Sequence, residues 1–246
     1  MYDVVVVGGG PGGSAAAAAL AHAGLSVLML DRRGLVDGAY QQLKPCGGGM
    51  DGAFFHHLPP QTTKGEAVEA LSEHQVYSLV THTPHGPTGE IKTTGEPILH
   101  LGMRTRIDGF LARKAVECGA AYVQDRVARV RPAPGGFVVV GARNEYGAKW
   151  VVGADGAYGV TGRSLGLAPK VSVYLASEWE CETDLQTWGR WEGKSLIEPS
   201  VAPFGYGWIF PKRPGHLSIG WGLPFRMGRR LNAMTANLFR EHGISG

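Results

Sequence analysis

The sequence predicts an α/β chain, with a parallel sheet at its start and an antiparallel sheet in its second half. Three observations predict this. "YDVVVVG" at 2–8 is an apolar run without alternation, as a strand buried on both faces requires. A Gly-rich turn, a helix-forming stretch and a second such run, "LSVLMLD" at 25–31, follow it and complete a βαβ unit. From 171 to 224 the chain instead alternates β-like runs with turn signals, the pattern of antiparallel strands.

Taken in order, "SAAAAALAHAG" at 14–24 is a strong helix former stopped by Gly24. Residues 32–52 are irregular and Gly-rich, and 53–73 carry a weak helical pattern centred on "KGEAVEALSEH". Residues 75–101 read as short strands with turns at "PHGPTGE" and "TTGEP". "RIDGFLARKAVECGA" at 106–120 is helical, with Ile107, Leu111 and Ala115 on one face and Gly119 as its stop. "AYVQDRVARVRP" and "GFVVVGARN" read as two strands joined by "APGG", and "KWVVGADG" at 149–156 as a strand entering another Gly-rich turn. "RRLNAMTANLFREHG" at 229–243 reads as a final helix.

Composition narrows the class. Of 246 residues, 43% are hydrophobic and 18% charged, a globular balance. The net charge of +3 is too mild to argue for a nucleic-acid partner. Cys46, Cys118 and Cys181 are few, odd in number and far apart, which argues against a disulfide scaffold and for a reducing compartment. No Cys-x-x-Cys pair or His/Cys cluster has metal-site spacing, so no metal is expected. The apolar start lacks a basic leader, and no run of about 18 apolar residues occurs. A cytoplasmic location is therefore expected.

Gly8-x-Gly10-x-x-Gly13 stands between strand and helix, where the chemistry of a dinucleotide needs it. The first glycine permits the turn, the second lets a pyrophosphate approach the backbone, and the third lets helix pack on strand. The N–H groups and partial positive charge of the helix start face the phosphates. Asp31, 18 residues beyond Gly13, ends the second strand, where a carboxylate accepts from ribose hydroxyls and repels a 2′-phosphate. "VVGADG" at 151–156 sets a second carboxylate, Asp155, at a sheet edge, although a plain turn residue reads the same way.

Two further stretches carry chemistry or structure. "LKPCGGGM" at 43–50 sets Cys46 before three glycines, with no partner cysteine near. "GYGWIFPK" at 205–212 sets Tyr206, Trp208 and Phe210 at alternate positions, so a strand would present them on one face. That face is either core or a ligand wall, and Gly205, Gly207 and the Pro-Lys ending tilt the reading toward a wall. Lys212 would then meet a polar head or close a turn. "FRMGRR" at 225–230 is either a lipid-headgroup contact or a solvated helix start.

With "RTRID" at 104–108 and "GADGAYGVTGRSLG" at 153–166, the opening motif resembles the flavoprotein monooxygenase-like superfamily. Within it, "KPCGGGM" and "GYGWIFPK" resemble the geranylgeranyl reductase family. The resemblance implies a Rossmann-like FAD-binding domain of glutathione-reductase type, a parallel sheet with an antiparallel crossover. It would comprise 1–50 and 102–168, interleaved with an antiparallel-sheet substrate domain, 51–101 and 169–246. It implies that Gly8, Gly10, Pro11 and Gly13 meet the pyrophosphate of FAD, Asp31 the ribose, and Arg32 the adenosine half. Arg104 would reach the flavin nucleotide, although Ile107 replaces the family's usual Phe. Val127 would flank the adenine, and Asp155 with Gly156 the phosphate–ribityl region. Cys46, Gly47 and Gly48 would pass close to the ring, with Cys46 a proton donor, a small polarizable contact, or filler in a turn. Tyr206 and Trp208 would line the catalytic pocket.

The implied activity is reduction of carbon–carbon double bonds of an isoprenoid chain, with NADPH or a ferredoxin as electron donor. The substrate would be a prenylated lipid or prenyl diphosphate, met at a membrane surface without spanning it. Family members carry a third flavin motif, Gly-Asp-Ala before a long helix, and 224–246 hold none. The chain is thus expected to be truncated and to retain FAD weakly. Two alternatives stand beside this reading: an FAD-dependent aromatic hydroxylase or halogenase, and an inactive flavin- or lipid-binding fragment.

Overall fold

The computed structural model describes residues 1–42, 44–82, 89–167, 173–199, 205–225 and 231–244. The chain opens with β1 (Tyr2–Val7), α1 (Pro11–His22) and β2 (Val27–Asp31). Short elements follow: β3 (Leu35–Val36), β4 (Ala39–Tyr40), β5 (Gly49–Met50), α2 (Gly52–His56) and α3 (Lys64–Leu71). Next come β6 (His74–Val76), β7 (Ser78–Thr81), β8 (Gly89–Lys92), β9 (Leu99–Leu101) and α4 (Arg104–Glu117). Then β10 (Ala121–Gln124), β11 (Val127–Ala133), β12 (Gly136–Gly141), β13 (Glu145–Gly153) and α5 (Thr161–Ser164). The last part holds β14 (Tyr174–Glu182), α6 (Leu185–Gly189), β15 (Lys194–Glu198), β16 (Tyr206–Pro211), β17 (His216–Pro224) and α7 (Leu231–Glu241).

The elements form two compact units, and each interleaves with the other along the chain. The first comprises 1–43, 56–67 and 105–171, and the second 44–55, 68–104 and 172–246. Residues 44–50 therefore group with the second unit.

In the first unit the strand order is β10-β2-β1-β13-β12-β11. The pairs β10–β2, β2–β1 and β1–β13 are parallel, and β13–β12 and β12–β11 antiparallel, the parallel sheet with an antiparallel arm that was expected. The unalternating strands work on both faces. Val4, Val6, Val27 and Met29 pack with Ala17 and Ala18 of α1 and Ala112 and Ala115 of α4. Val5, Val7, Leu28 and Leu30 pack instead with Val130 and Val139, so the antiparallel arm curls back over the second face. The run 121–132, which reads as one strand, is two, paired at opposite ends of the sheet. Asp125 makes the break: its carboxylate accepts from the N–H groups of Ala142, Arg143 and Asn144 and from the Tyr146 hydroxyl, pinning the distant turn. The weak helical pattern at 53–73 likewise resolves into two helices, α2 and α3.

In the second unit the main sheet runs β14-β17-β16-β15-β7-β8, antiparallel except for the parallel β15–β7 pair. One face carries Cys181, Leu196, Ile209, Leu217, Ile219, Trp221 and Leu223, covered by Leu231, Met234 and Leu238 of α7. A small sheet, β5-β9-β6, completes the unit. Glycine lets indoles lie flat across the main sheet on both faces. Trp208 pairs with Gly220 and Gly207 with Trp221. A Cβ on Gly220 would come within 2.3 Å of the Trp208 ring, and one on Gly207 within 2.5 Å of the Trp221 ring. Gly207 thus serves the α7 face and not a ligand wall on the other.

Candidate functional site

The glycine turn of the first unit is built from contacts that exclude side chains. Gly8 has φ +102°, and a Cβ there would meet the Ala154 carbonyl oxygen at 2.4 Å. A Cβ on Gly13 would lie 1.8 Å from the Gly8 oxygen. Gly10 differs: a Cβ would meet nothing within 4 Å, nor would one on Gly12. Gly10 is the N-cap of α1 in extended conformation, with no side-chain cap bond, no acid in the first turn and Pro11 next. The first N–H groups of a 12-residue helix are therefore left to an outside acceptor across open backbone. That arrangement fits a pyrophosphate.

Asp31 ends β2 and is buried. Its carboxylate accepts from Gly9 N (2.7 Å), Arg33 N (2.8 Å) and Arg33 Nε (3.0 Å). Burial pushes its pKa up, but the Arg33 hydrogen bonds and charge outweigh this and hold it below the ordinary value. Arg33 also donates from Nη1 to Asp108 on α4 (2.8 Å) and lies 3.8 Å from the centre of the Tyr40 ring. The Tyr40 hydroxyl donates to the Gly9 oxygen (2.9 Å), and burial lifts its pKa well above the phenol range. Arg33 and Tyr40, neither singled out in the sequence, thus set the carboxylate and the glycine turn together. Arg32 is exposed, and its carbonyl accepts from Gln124 Nε2.

Of the other residues singled out for a nucleotide, Asp155 adjoins the glycine turn, its Cα 3.0 Å from where a Gly8 Cβ would stand. Asp155 Oδ2 accepts from Val160 N (2.6 Å), Thr161 N (2.9 Å) and Thr161 Oγ1 (3.0 Å), capping α5. Gly156 follows with φ +81°. Val127 opens β11, half-buried against the second-face cluster. Arg104 is the half-buried first residue of α4.

The second unit brings the Cys46 turn and the aromatic strand together. Tyr206, Trp208 and Phe210 share the face of the main sheet opposite α7, where Trp208 and Phe210 are buried and Tyr206 is exposed. Gly47 lies against them: a Cβ would come within 2.7 Å of the Phe210 ring and 3.0 Å of Trp208 Nε1. Gly48 has φ +71°, and its Cβ would collide with the Gly102 oxygen at 1.9 Å. Gly102 N donates to Gly48 O (3.1 Å), and Gly49 and Met50 pair with Leu101 and His100. Cys46 is half-buried, and its N–H donates to Glu178 Oε2 on β14.

A charged network shares this face. Lys212 is fully buried and donates from Nζ to Glu180 Oε1, with Met103 Sδ at 3.4 Å. His216 bridges Glu180 (2.6 Å) and Glu182 (3.1 Å). Lys212 therefore answers a carboxylate of its own sheet. Burial works to raise the Glu180 carboxyl, but His216 and Lys212 prevail and hold its pKa below the ordinary value. The Glu180 hydrogen bond raises His216. Burial raises Glu178, helped by the nearby Glu180 charge and opposed by the Ser218 hydroxyl, which donates to Oε1 at 2.6 Å, and by Lys212. Sequence reasoning missed this network, although Glu178, Glu180 and Glu182 alternate with Trp179 and Cys181, marking a strand with one polar face.

Residues 3–79 match the family described as FAD dependent oxidoreductase. Digeranylgeranylglycerophospholipid reductase 1 of Methanopyrus kandleri is 30% identical over 236 residues, covering 90% of this chain and 58% of that protein. Among solved structures, a geranylgeranyl bacteriochlorophyll reductase-like protein of Thermoplasma acidophilum superposes with a TM-score of 0.80 at 24% identity, over 98% of this chain and 62% of that one. A halogenase in complex with phloroglucinol and FAD superposes at 0.69 with 17% identity, over 97% and 55%. The chain has the fold of the FAD-binding oxidoreductases, and its first part is similar to them in sequence. Within that class, about 90% of the chain is similar in sequence to digeranylgeranylglycerophospholipid reductases. It spans under two thirds of the length of the curated relatives it matches.

Proposed function

We propose that this chain carries the FAD-binding and substrate-binding parts of a reductase acting on carbon–carbon double bonds of an isoprenoid chain on a lipid. The observation that carries the reading is the Cys46–Gly49 turn laid on the Trp208–Phe210 face, in a sequence whose relatives include reductases of digeranylgeranylglycerophospholipid. Bound FAD would supply the hydride. In the first unit, Gly10 leaves room for the pyrophosphate, the start of α1 offers it N–H groups, and Asp31 offers the ribose a fixed carboxylate. In the second unit, the aromatic face gives an apolar tail a surface to lie on, and the Gly47–Gly48 backbone holds Cys46 beside it. Cys46 supplies a thiol proton or a small polarizable contact. Tyr206, exposed at the end of the aromatic row, marks where the tail enters.

Arg32, Arg104, Val127, Asp155 and Gly156 remain our proposed contacts along the nucleotide. The electron donor in this reading is NADPH or a ferredoxin, and the lipid is met at a membrane surface. No described helix is long and apolar enough to cross a membrane. A halogenase or hydroxylase shares the first unit's motif but gives the Cys46 turn no part.

The test is anaerobic incubation of FAD-loaded chain with a chemical reductant and a geranylgeranyl lipid, with mass spectrometry of the product. Addition of hydrogen to the prenyl chain is expected, and Cys46→Ala is expected to lower turnover far more than flavin affinity. Oxygen-dependent NADPH oxidation stimulated by a phenol, without prenyl reduction, would overturn the reading in favour of a hydroxylase.

A further inference from the structure

The Cys46 turn is fixed from its far side by Gly48, Gly102 and the β5–β9 pairing, and from its near side by one carboxyl. Glu178 sits mid-strand on β14, pointing away from α7. Its Oε2 accepts the Cys46 N–H, and its Oε1 accepts the Ser218 hydroxyl at 2.6 Å. Ser218 Oγ in turn accepts from Trp208 Nε1 at 3.3 Å. One carboxyl thereby connects the cysteine turn to the central indole of the aromatic face. The neighbouring acids are otherwise engaged: Glu180 pairs with Lys212 and His216, and Glu182 with Arg213 and His216. None of the described ion pairs includes Glu178.

We propose that Glu178 is the positioning residue of the Cys46 turn, setting the distance of the Cys46 thiol from the Trp208 face through the chain Cys46 N–H, Glu178, Ser218, Trp208 Nε1. Its consequence for turnover rests on the function proposed above, whereas the tie itself does not. A carboxyl suits the task because it offers one acceptor to each side, and both donors are satisfied together. Glutamine retains half of the design: its amide oxygen still accepts the Cys46 N–H, and its NH2 can donate to Ser218 Oγ. Alanine retains none, and leaves the Cys46 N–H and the Ser218 hydroxyl without their acceptor.

Amide exchange by NMR and site-resolved alkylation of the full chain, without substrate, test the tie. In the wild type the Cys46 amide is expected to be protected although it lies in a loop; exchange at a random-coil rate overturns the proposal without any variant. Glu178→Ala is expected to speed Cys46 amide exchange by about tenfold or more. The same variant is expected to speed alkylation of Cys46 while leaving Cys118, in the other unit, unchanged. Glu178→Gln is expected to stay near the wild type in both. Equal protection in all three overturns the proposal, and so does loosening in glutamine as large as in alanine. Prenyl turnover is read separately, with loss in alanine and rescue in glutamine expected. A chain that shows the exchange pattern but reduces no prenyl lipid keeps the tie and overturns the function.

Discussion

Replacing Gly10 and Gly13 by alanine separates cofactor binding from folding, because the two glycines lack a side chain for different reasons. At Gly13 a methyl would sit 1.8 Å from the Gly8 oxygen and 3.2 Å from the Ala154 Cβ. An ordinary carbon–oxygen approach is about 3.3 Å, so helix and turn must separate by roughly 1.5 Å. Overpacking of this kind costs about 1–3 kcal/mol or more, and each kcal/mol lowers the melting temperature by about 2–4 °C at this chain length. Gly13→Ala is therefore expected to melt roughly 5–10 °C lower even without FAD. At Gly10 the methyl meets no atom within 4 Å, and the extended backbone, φ −73°, suits any residue. Gly10→Ala should change stability by no more than about 0.5 kcal/mol. Its methyl would stand in the space we propose for the pyrophosphate, so FAD affinity should fall at least about tenfold, or 1.4 kcal/mol. Circular dichroism melts of flavin-free chain and FAD titration by fluorescence give the two readouts. Undiminished FAD affinity in Gly10→Ala, or a melt lowered as far as in Gly13→Ala, refutes the reasoning.

Three more predictions rest on the buried charges and the cysteine turn. Arg33→Met removes the cation shared by Asp31 and Asp108; urea unfolding should show a loss of about 3–5 kcal/mol, and a loss under about 1 kcal/mol would contradict the shared-cation reading. Asp31 is depressed in the fold, so its contribution holds above the ordinary aspartate value of 3.8 and disappears as pH falls through the lower folded value; this acid-side loss should shrink in the same variant. His216 is raised in the fold, so its contribution is complete below 6.5 and is lost as pH rises through the higher folded value; His216→Gln should flatten the urea midpoint over that rise, and an unchanged slope would count against the Glu180 bond as its cause. Gly47→Ala forces the turn off Phe210, 2.7 Å from the added methyl, and should lower prenyl turnover about tenfold with FAD affinity kept; wild-type turnover would show that the turn's seat does not matter.

The first βαβ unit was legible because its signals are local and periodic. Four successive valines require two covered faces, and the glycine spacing requires a turn. The structure supplies both requirements through α1 and α4 on one side and the curled β11–β12 arm on the other. What escaped was non-local. No residue near Asp125 announces that its carboxylate serves the turn at 142–144, so a break looked like a continuous strand. The parallel pairing of β15 with β7 joins segments over a hundred residues apart in sequence. Within the site, the glycines and aromatics were visible, but their pairing partners were not: Gly207 was read with its own strand, whereas its reason is Trp221 on the next one.

The same non-locality explains why the acids of β14 were missed and why they matter. A strand with one apolar and one acidic face is ordinary at a surface, where water solvates the carboxylates. Here the cysteine turn lies over part of that face, so Glu178 and Glu180 are half-buried and need partners, whereas Glu182 is exposed. Glu180 and Glu182 find cations in Lys212, His216 and Arg213. Glu178 finds donors instead, a backbone N–H and a hydroxyl, and burial keeps its proton affinity high. The carboxyl that goes without an ion pair is thus the one best suited to hold Cys46 against the aromatic strand.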